Sequence, residues 1–398
     1  MTNSDPSKTL AIETVKPVSI DELTRIITNA AEQKRTVIPV GGGTHLFTAG
    51  KEFDLAVKTT GFTDGFHHTP ADMTATIPAG MRFSKAQEKL SQNGQWLPLD
   101  PPDRGDATVG GVIASNRWGP RRHRYGTAKD WVIATTTVNG KGEVVRAGAN
   151  VVKNVSGYDL NKLYIGSRGT LGIIINLSFK LSPLPALRST FRACYSTPEE
   201  ALTTAAEIHS APLEPEALLI TKGRWTAPRA KHWWLLTELA GSEEGVTAQK
   251  ETLSTTLKGS PANRWNEAND QDAAFYWDIA RFGNGEAPPL FGIAEISFPK
   301  SQVESLVSLL TESYSELSVK LLPARGLAIV EIEKETDHSL LVNEITKVGG
   351  SIEFDCGEIN SPNYRWPTEP AALPLMKKLK TALDPSGIFA PGTYVGGI

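Results

Sequence analysis

Residues 108–126 read TVGGVIASNRWGPRRHRYG, and the fold turns on this stretch. Gly110 and Gly111 sit together, Gly119 and Gly126 follow, and Thr108, Ser115 and Asn116 supply short polar side chains around them. Paired glycines carry no Cβ, so the backbone can take positive φ and approach a ligand closely. Backbone N–H groups turned inward at such a bend form a nest for an anion. The guest that suits it is a diphosphate. An ordinary glycine-rich loop has the same composition, so the flanking sequence decides between them.

Upstream, Ser19 and Glu22 stand at capping-box spacing, and Leu23, Ile26, Ile27, Ala30 and Ala31 share one helical face. The β-branched run Thr36–Val40 then meets Gly41, Gly42, Gly43, Thr44 and His45. A strand that runs into three glycines and a hydroxyl makes a second phosphate cradle or a structural turn. It matches neither GxGxxG nor GxxxxGK[ST]. Residues 53–90 read as strand, loop, strand and helix, the helix burying Phe83, Ala86 and Leu90. The proline-locked segment 96–102 leads back to the glycine stretch. Beyond it, residues 131–146 predict a hairpin turning at Asn139-Gly140, a type I′ signal. A third cluster follows: Gly157 and Tyr158 open a short helix, and Gly166, Gly169 and Gly172 precede Ile173-Ile174-Ile175. Such a turn is either a tight helix-to-strand connection or a place where backbone groups face a flat heterocycle. Three glycine clusters in this order favour one extended ligand over three unrelated turns.

Composition narrows the classes. The chain has 398 residues, 40% hydrophobic and 21% charged, and a formal net charge of −3. That length predicts two or three domains, and the charge offers no global attraction to nucleic acid or an anionic membrane. The N-terminal ten residues are polar, and no apolar run reaches membrane-span length. A cytoplasmic protein is expected, peripheral at a membrane only through partners. The two cysteines, Cys194 and Cys356, cannot hold an iron–sulfur cluster that takes four thiolates. No metal-ligand spacing is present.

Taken together, VGGGTH (40–45), TVGGVIASN (108–116), RYGTAKDWV (124–132), GYDLNKL (157–163), GSRGTLGI (166–173) and LDPSGIFAPG (383–392) resemble the vanillyl-alcohol-oxidase family of flavoproteins, with an FAD domain of the p-cresol-methylhydroxylase type. Within it the pattern is most similar to the FAD-binding E-type subunits of bacterial glycolate oxidases. The resemblance implies an α+β fold: a two-part FAD-binding domain over 1–183, an α+β cap with an antiparallel sheet over 184–375, and a segment 376–398 that returns to the FAD domain. It implies noncovalent FAD. Residues 41–45 and 108–116 would wrap the diphosphate, Tyr125 and Gly126 the ribityl and adenosine side, and Gly157, Tyr158, Gly169 and Ile173 the isoalloxazine ring. Some relatives bond a histidine of the first loop to the flavin, which makes His45 the residue to watch.

The departures are as informative. Related 2-hydroxy-acid dehydrogenases carry Glu where this chain has Arg168, Asn at Ala390 and usually Lys at Thr393. Their cap segment His-x-x-Asp-Gly-Asn-x-His, which holds a metal or the substrate carboxylate, is missing. The resemblance thus supports FAD binding better than a complete substrate site; arginines such as Arg168, Arg281 and Arg325 are left as candidates for the substrate carboxylate, with Arg168 the best placed, between Gly166 and Gly169. An oxidoreductase subunit that relays electrons is expected, with a sibling FAD-binding catalytic subunit, an iron–sulfur subunit and a small 2-hydroxy acid as the substrate of the complex. A self-sufficient oxidase and a silent FAD-holding assembly subunit are the alternatives. Two further features stay open. Arg117, Arg121, Arg122, His123 and Arg124 form a solvated loop, neutralise phosphates, or dock an acidic partner. Trp225, Trp233, Trp234, Trp265, Phe275, Tyr276 and Trp277 pack a core or an interface. In the cap, strands are predicted at 191–195, 232–239, 290–298, 324–332 and 352–354, with helices at 198–209, 242–257, 302–314 and 338–348.

Overall fold

Strand Val37–Val40 lies at the edge of a parallel three-stranded sheet, beside Phe53–Lys58, with Ala11–Val15 beyond. This is a computed structural model, and it describes residues 11–150, 159–226, 230–283, 292–314, 316–332, 338–355 and 361–398. Helix Ile20–Glu32 connects the first two strands and buries Leu23, Ile27 and Ala30. Ser19 caps it, accepting from the Glu22 amide at 3.2 Å. The Glu22 carboxylate reaches back one residue further than a capping box requires, to the Val18 amide at 2.9 Å.

A second, antiparallel sheet of five strands follows the order His67–Thr69, Thr74–Pro78, Ile173–Lys180, Val132–Val138, Val144–Gly148. Its central strand explains the apolar run Ile173-Ile174-Ile175. Side chains alternate across a strand, and both faces here are buried. Ile173 and Ile175 join Leu23, Ile27, Val57 and Phe389, whereas Ile174 joins Val109 and Ile113. The predicted hairpin is present, but its turn is wider than type I′. Residues 139–143 connect the strands, the Asn139 Oδ1 accepts from the amides of Lys141 and Glu143 at 3.0 Å each, and Gly142, at φ 77°, takes the left-handed position. Gly140 is occupied otherwise: its N–H donates to the Leu383 carbonyl at 2.8 Å, and the hairpin tip docks on the C-terminal segment.

That segment is tied down firmly. Val37 and Ala390 exchange backbone hydrogen bonds with the chain opposite, Val37 N–H to Ile388 O at 2.7 Å and Ala390 N–H to Val37 O at 2.8 Å. Lys380 Nζ donates to Thr170 O, Asp384 Oδ2 and Phe389 O at 2.8, 2.8 and 2.7 Å.

The third layer is an antiparallel sheet of eight strands, in the order Arg264–Glu267, Leu187–Tyr195, Ala230–Gly241, Pro215–Gly223, Val319–Leu322, Leu327–Ile332, Gly292–Ser297, Ser351–Asp355. Helices Pro198–Ser210, Glu243–Gly259, Val303–Ser313 and Ser339–Lys347 cover one face. The predicted strand over 324–332 begins only at Leu327, because Pro323–Arg325 and the left-handed Gly326 form a tight turn that joins it to Val319–Leu322, a strand not predicted. Strand Pro215–Gly223 and helix Asp270–Phe282 are not among the elements expected from the sequence; the strand is buried along Pro215–Thr221, and Asn269 caps the helix. Trp225, Trp233, Trp234 and Trp277 are core residues, which resolves the aromatic cluster toward packing, while Phe275 remains 54% exposed. Cys194 is a buried free thiol, and Cys356 lies outside the described residues.

Candidate functional site

The strand Val37–Val40 delivers Gly41–His45 to the mouth of a cleft enclosing about 880 Å³ of empty space, part of it open to solvent. The opposite wall is helix Val109–Ser115. The segment leading into that helix comes so close to Gly42 that a Cβ there would lie 1.8 Å from the Asp106 carbonyl oxygen. Among the described residues, no backbone carbonyl accepts from the N–H groups of residues 42–45. These donors are therefore available to a guest. The helix end is different. Thr108 Oγ1 accepts from the Gly111 amide at 3.2 Å, and the Gly110 amide donates to Ala79 O at 2.8 Å. What the helix presents to the cleft is the missing side chain of Gly111, where a Cβ would meet only Thr108 Oγ1 at 3.1 Å.

The third wall is the loop 166–169, hung on the same helix by hydrogen bonds from Gly166 N–H to Ile113 O at 3.0 Å and Arg168 N–H to Ala114 O at 2.9 Å. Three non-glycine residues with positive φ gather at this end: Asn116 at 50°, Arg168 at 52° and Ala390 at 40°. Such strained backbone concentrates where function needs a fixed geometry.

Most expected site residues come together. Gly41, Gly42, Gly43, Thr44, His45, Thr108, Gly110, Gly111, Ser115, Arg168 and Gly169 line the cleft. Asn116 and Gly126 line a neighbouring cavity of about 340 Å³ instead. Tyr125 lines neither: it packs edge-on against Trp96 and Trp131, and its carbonyl accepts from Trp131 Nε1 at 2.7 Å. Ile173 points into the core, and its neighbours Gly172 and Ile174 reach the cleft, as strand alternation dictates. Gly157 and Tyr158 lie outside the described residues. Phe47, Thr59 and Ile174 are lining residues that sequence reading missed; Ile174 was within reach of the alternation argument, the other two carry no motif.

His45 Nε2 lies 3.2 Å from the Pro102 carbonyl. Burial, and then the nearby Arg117, push its pKa below the ordinary value, so it is a neutral donor at pH 7. Among the described residues no group of three or more His, Cys, Asp or Glu side chains is placed to hold a metal ion.

Three arginines of the basic run, Arg117, Arg121 and Arg124, pair with carboxylates of this same chain, while Arg122 lines the neighbouring cavity. Arg117 is buried, with Nη1 on Glu295 Oε2 and Nη2 on Asp355 Oδ2, each at 2.6 Å. Arg121 pairs with Glu216 at 2.7 Å, and Arg124 with Glu214 at 2.7 Å. The His123 carbonyl accepts from Arg325 Nε at 2.7 Å. All these acceptors or donors sit on the eight-stranded sheet or its connections, so the run fastens the glycine stretch to the sheet above it. The reason is invisible along the chain: the paired carboxylates are about 90–240 residues away in sequence.

Arg168 joins the same system. Its Nη2 donates to both oxygens of Glu353, at 2.7 and 2.8 Å, and its guanidinium lies 5.3 Å from the Trp366 ring centre. Arg365 donates to Glu353 Oε1 from Nε and Nη2 at 3.0 and 2.8 Å, and to Asp355 Oδ1 from Nη1 at 3.1 Å. Burial raises the Glu353 pKa, but Arg168, Arg117 and Arg365 outweigh it and hold the carboxyl at about 2. Arg168 Nη1 is buried and has no hydrogen-bond partner among the described residues.

The cleft fits a dinucleotide flavin. It has unclaimed amides at the strand end, an open glycine face, apolar walls at Ile38, Leu46 and Ile174, and an unpartnered buried guanidinium nitrogen where the loop 166–169 closes it. A glycine cradle beside a parallel sheet, capped by an antiparallel sheet, is an arrangement suited to holding an extended dinucleotide such as FAD. Comparison with known proteins agrees. Residues 12–148 match the FAD binding domain model and residues 331–394 the model of the C-terminal domain of FAD linked oxidases. The chain is 31% identical over 337 residues to glycolate oxidase subunit GlcE of Escherichia coli (strain K12), covering 82% of this chain and 83% of that one. It is 26% identical over 411 residues to glycolate oxidase subunit GlcD of Bacillus subtilis (strain 168), covering 95% and 87%. It is also 26% identical to a D-2-hydroxyglutarate dehydrogenase of Xanthomonas citri pv. viticola, covering 94% and 87%. Among solved structures, alkyldihydroxyacetonephosphate synthase shares the fold, with TM-score 0.69, 16% identity, and coverage of 95% of this chain and 75% of that one. The chain belongs to the FAD-linked oxidases with a p-cresol-methylhydroxylase-type FAD-binding domain, and is an FAD flavoprotein.

Proposed function

We propose that this chain is the FAD-carrying, electron-relaying subunit of a glycolate or 2-hydroxy-acid oxidase complex. Its partners are a sibling flavoprotein that oxidises the acid and an iron–sulfur subunit. Likeness to two glycolate oxidase subunits supports the substrate class. The observation that carries the relay role is the state of Arg168, which lines the cleft, and of the two arginines grouped with it. A 2-hydroxy acid brings a carboxylate, and desolvating it without a partner costs several kcal/mol. Yet Arg117, Arg168 and Arg365 already face Glu295, Glu353 and Asp355. The seat is electrically neutral before any substrate arrives.

In this reading residues 1–183 and 376–398 hold FAD and residues 184–375 cap it. Residues 41–45 and 108–116 grip the diphosphate, and the loop 166–169 with Ile174 borders the ring. When bound, FAD exchanges electrons in pairs or singly, which lets it join a hydride-derived supply to one-electron carriers. The chain's own residues position FAD, keep His45 neutral beside it and limit water on the capped side. Among the described residues no helix is long and apolar enough to cross a membrane. We place the complex in the cytoplasm, at the membrane only through partners.

Purifying the tagged chain from its native cells, with flavin and iron assays on the eluate, tests this reading. Flavin in excess of one per tagged chain, together with iron, is expected. A lone chain carrying one flavin and no iron would contradict it. Self-sufficient oxidation is the second reading, favoured by whole-chain likeness to a D-2-hydroxyglutarate dehydrogenase.

A further inference from the structure

We propose that Glu353 sets the specificity of the cleft by occupying its anion seat: its carboxylate sits on Arg168 and Arg365, where an incoming small carboxylate would have to bind. This deepens the relay reading and rests on it for the class of ligand.

The seat is built from two parts of the chain. Glu353 and Asp355 lie two apart on the edge strand Ser351–Asp355, so they share one face. Glu295 stands directly opposite Glu353 on the adjacent strand. Like charges opposite one another weaken a sheet. The pair is retained because three guanidinium groups meet it from the glycine stretch, the loop 166–169 and the turn Pro362–Arg365. Arg168 spends Nη2 on both Glu353 oxygens, and Arg365 adds two donors to Oε1. Trp366 lies over both guanidinium groups, at 5.3 and 5.4 Å, and Phe47 lies 4.4 Å from that of Arg365. Phe47 and Arg168 both line the cleft.

Three cations face three carboxylates, so the cluster is neutral. A fourth carboxylate would leave a buried, uncompensated negative charge. Removing the charge of Glu353 reverses the sign: the cluster becomes a cation with the Arg168 fork open to the cleft. The chain therefore excludes small acids by an internal carboxylate in the place of an external one.

Oxalate tests this, because it is a two-carbon acid that cannot donate a hydride. Its affinity for the FAD-loaded chain is read from the flavin difference spectrum. Glu353→Gln should bind oxalate roughly tenfold or more tightly than wild type, with the gain shrinking as salt rises. Arg168→Gln added to Glu353→Gln should remove the gain. Glu353→Ala also vacates the seat and carries the same prediction if Glu353→Gln fails to fold, whereas Asp355→Asn leaves Glu353 on Arg168 and should gain much less. Equal oxalate affinity in wild type and a folded, flavin-loaded Glu353 variant would overturn the proposal. So would tight oxalate binding by wild type. Equal affinities leave the relay reading standing, tight oxalate binding by wild type would count against it as well, and that reading fails on its own if the wild-type chain oxidises glycolate.

Discussion

Gly111→Val yields a folded but colourless chain. Gly111 is the third residue after the cap Thr108, and a Cβ there meets only the Thr108 hydroxyl, at 3.1 Å. Valine is tolerated in a helix at least as well as glycine, so the helix survives. Its methyl groups enter the cleft, where the close approach of a ligand to bare backbone is lost. FAD affinity should fall by roughly a hundredfold or more, which is about 3 kcal/mol. Absorbance at the flavin band after gel filtration reads the loss, and circular dichroism confirms the fold. A fully yellow variant would contradict the placement of FAD. Gly42 does not serve the same purpose, because a side chain there strikes the Asp106 backbone and tests folding instead.

Arg117→Leu is expected to have the largest effect on stability. The Arg117 side chain is 6% exposed and serves Glu295 and Asp355, with Glu353 at 3.4 Å. Removing it leaves carboxylates facing one another across two strands with one cation fewer. Breaking a buried ion pair from one side costs about 3–5 kcal/mol, and the melting temperature should drop on the order of 10 °C. Adding Glu295→Gln and Asp355→Asn should recover part of the loss, because the uncompensated charge goes with them. A melting temperature unchanged by Arg117→Leu would show that this network does not join the glycine stretch to the sheet.

The two substitutions mark what was legible in the sequence. The glycine clusters were readable because close approach and positive φ demand glycine locally, and the structure brings Gly41–Gly43, Gly110, Gly111 and Gly169 to one cleft. The central strand was readable from Ile173-Ile174-Ile175. Arg117, Arg121 and Arg124 were visible as a basic run, but their partners Glu295, Glu216 and Glu214 lie far along the chain. No local pattern marks a charge that folding will neutralise. Arg168 was singled out as a departure, and only the structure shows Glu353 on it. Tyr125 and Ile173 were named by position in a motif, whereas alternation and aromatic packing turn them away from the cleft. The strand Pro215–Gly223 was missed because burial along most of its length removes the alternation that would reveal it.

The central claim is that this chain holds FAD without a substrate site of its own. Anaerobic mixing of the purified, FAD-loaded chain with glycolate or D-lactate tests it most directly, with the flavin absorbance followed over time. The flavin band should persist for minutes, disappear on dithionite, and bleach with the acid once the sibling flavoprotein is added. Bleaching by the acid alone at ordinary enzyme rates, above about 1 per second, would contradict the account.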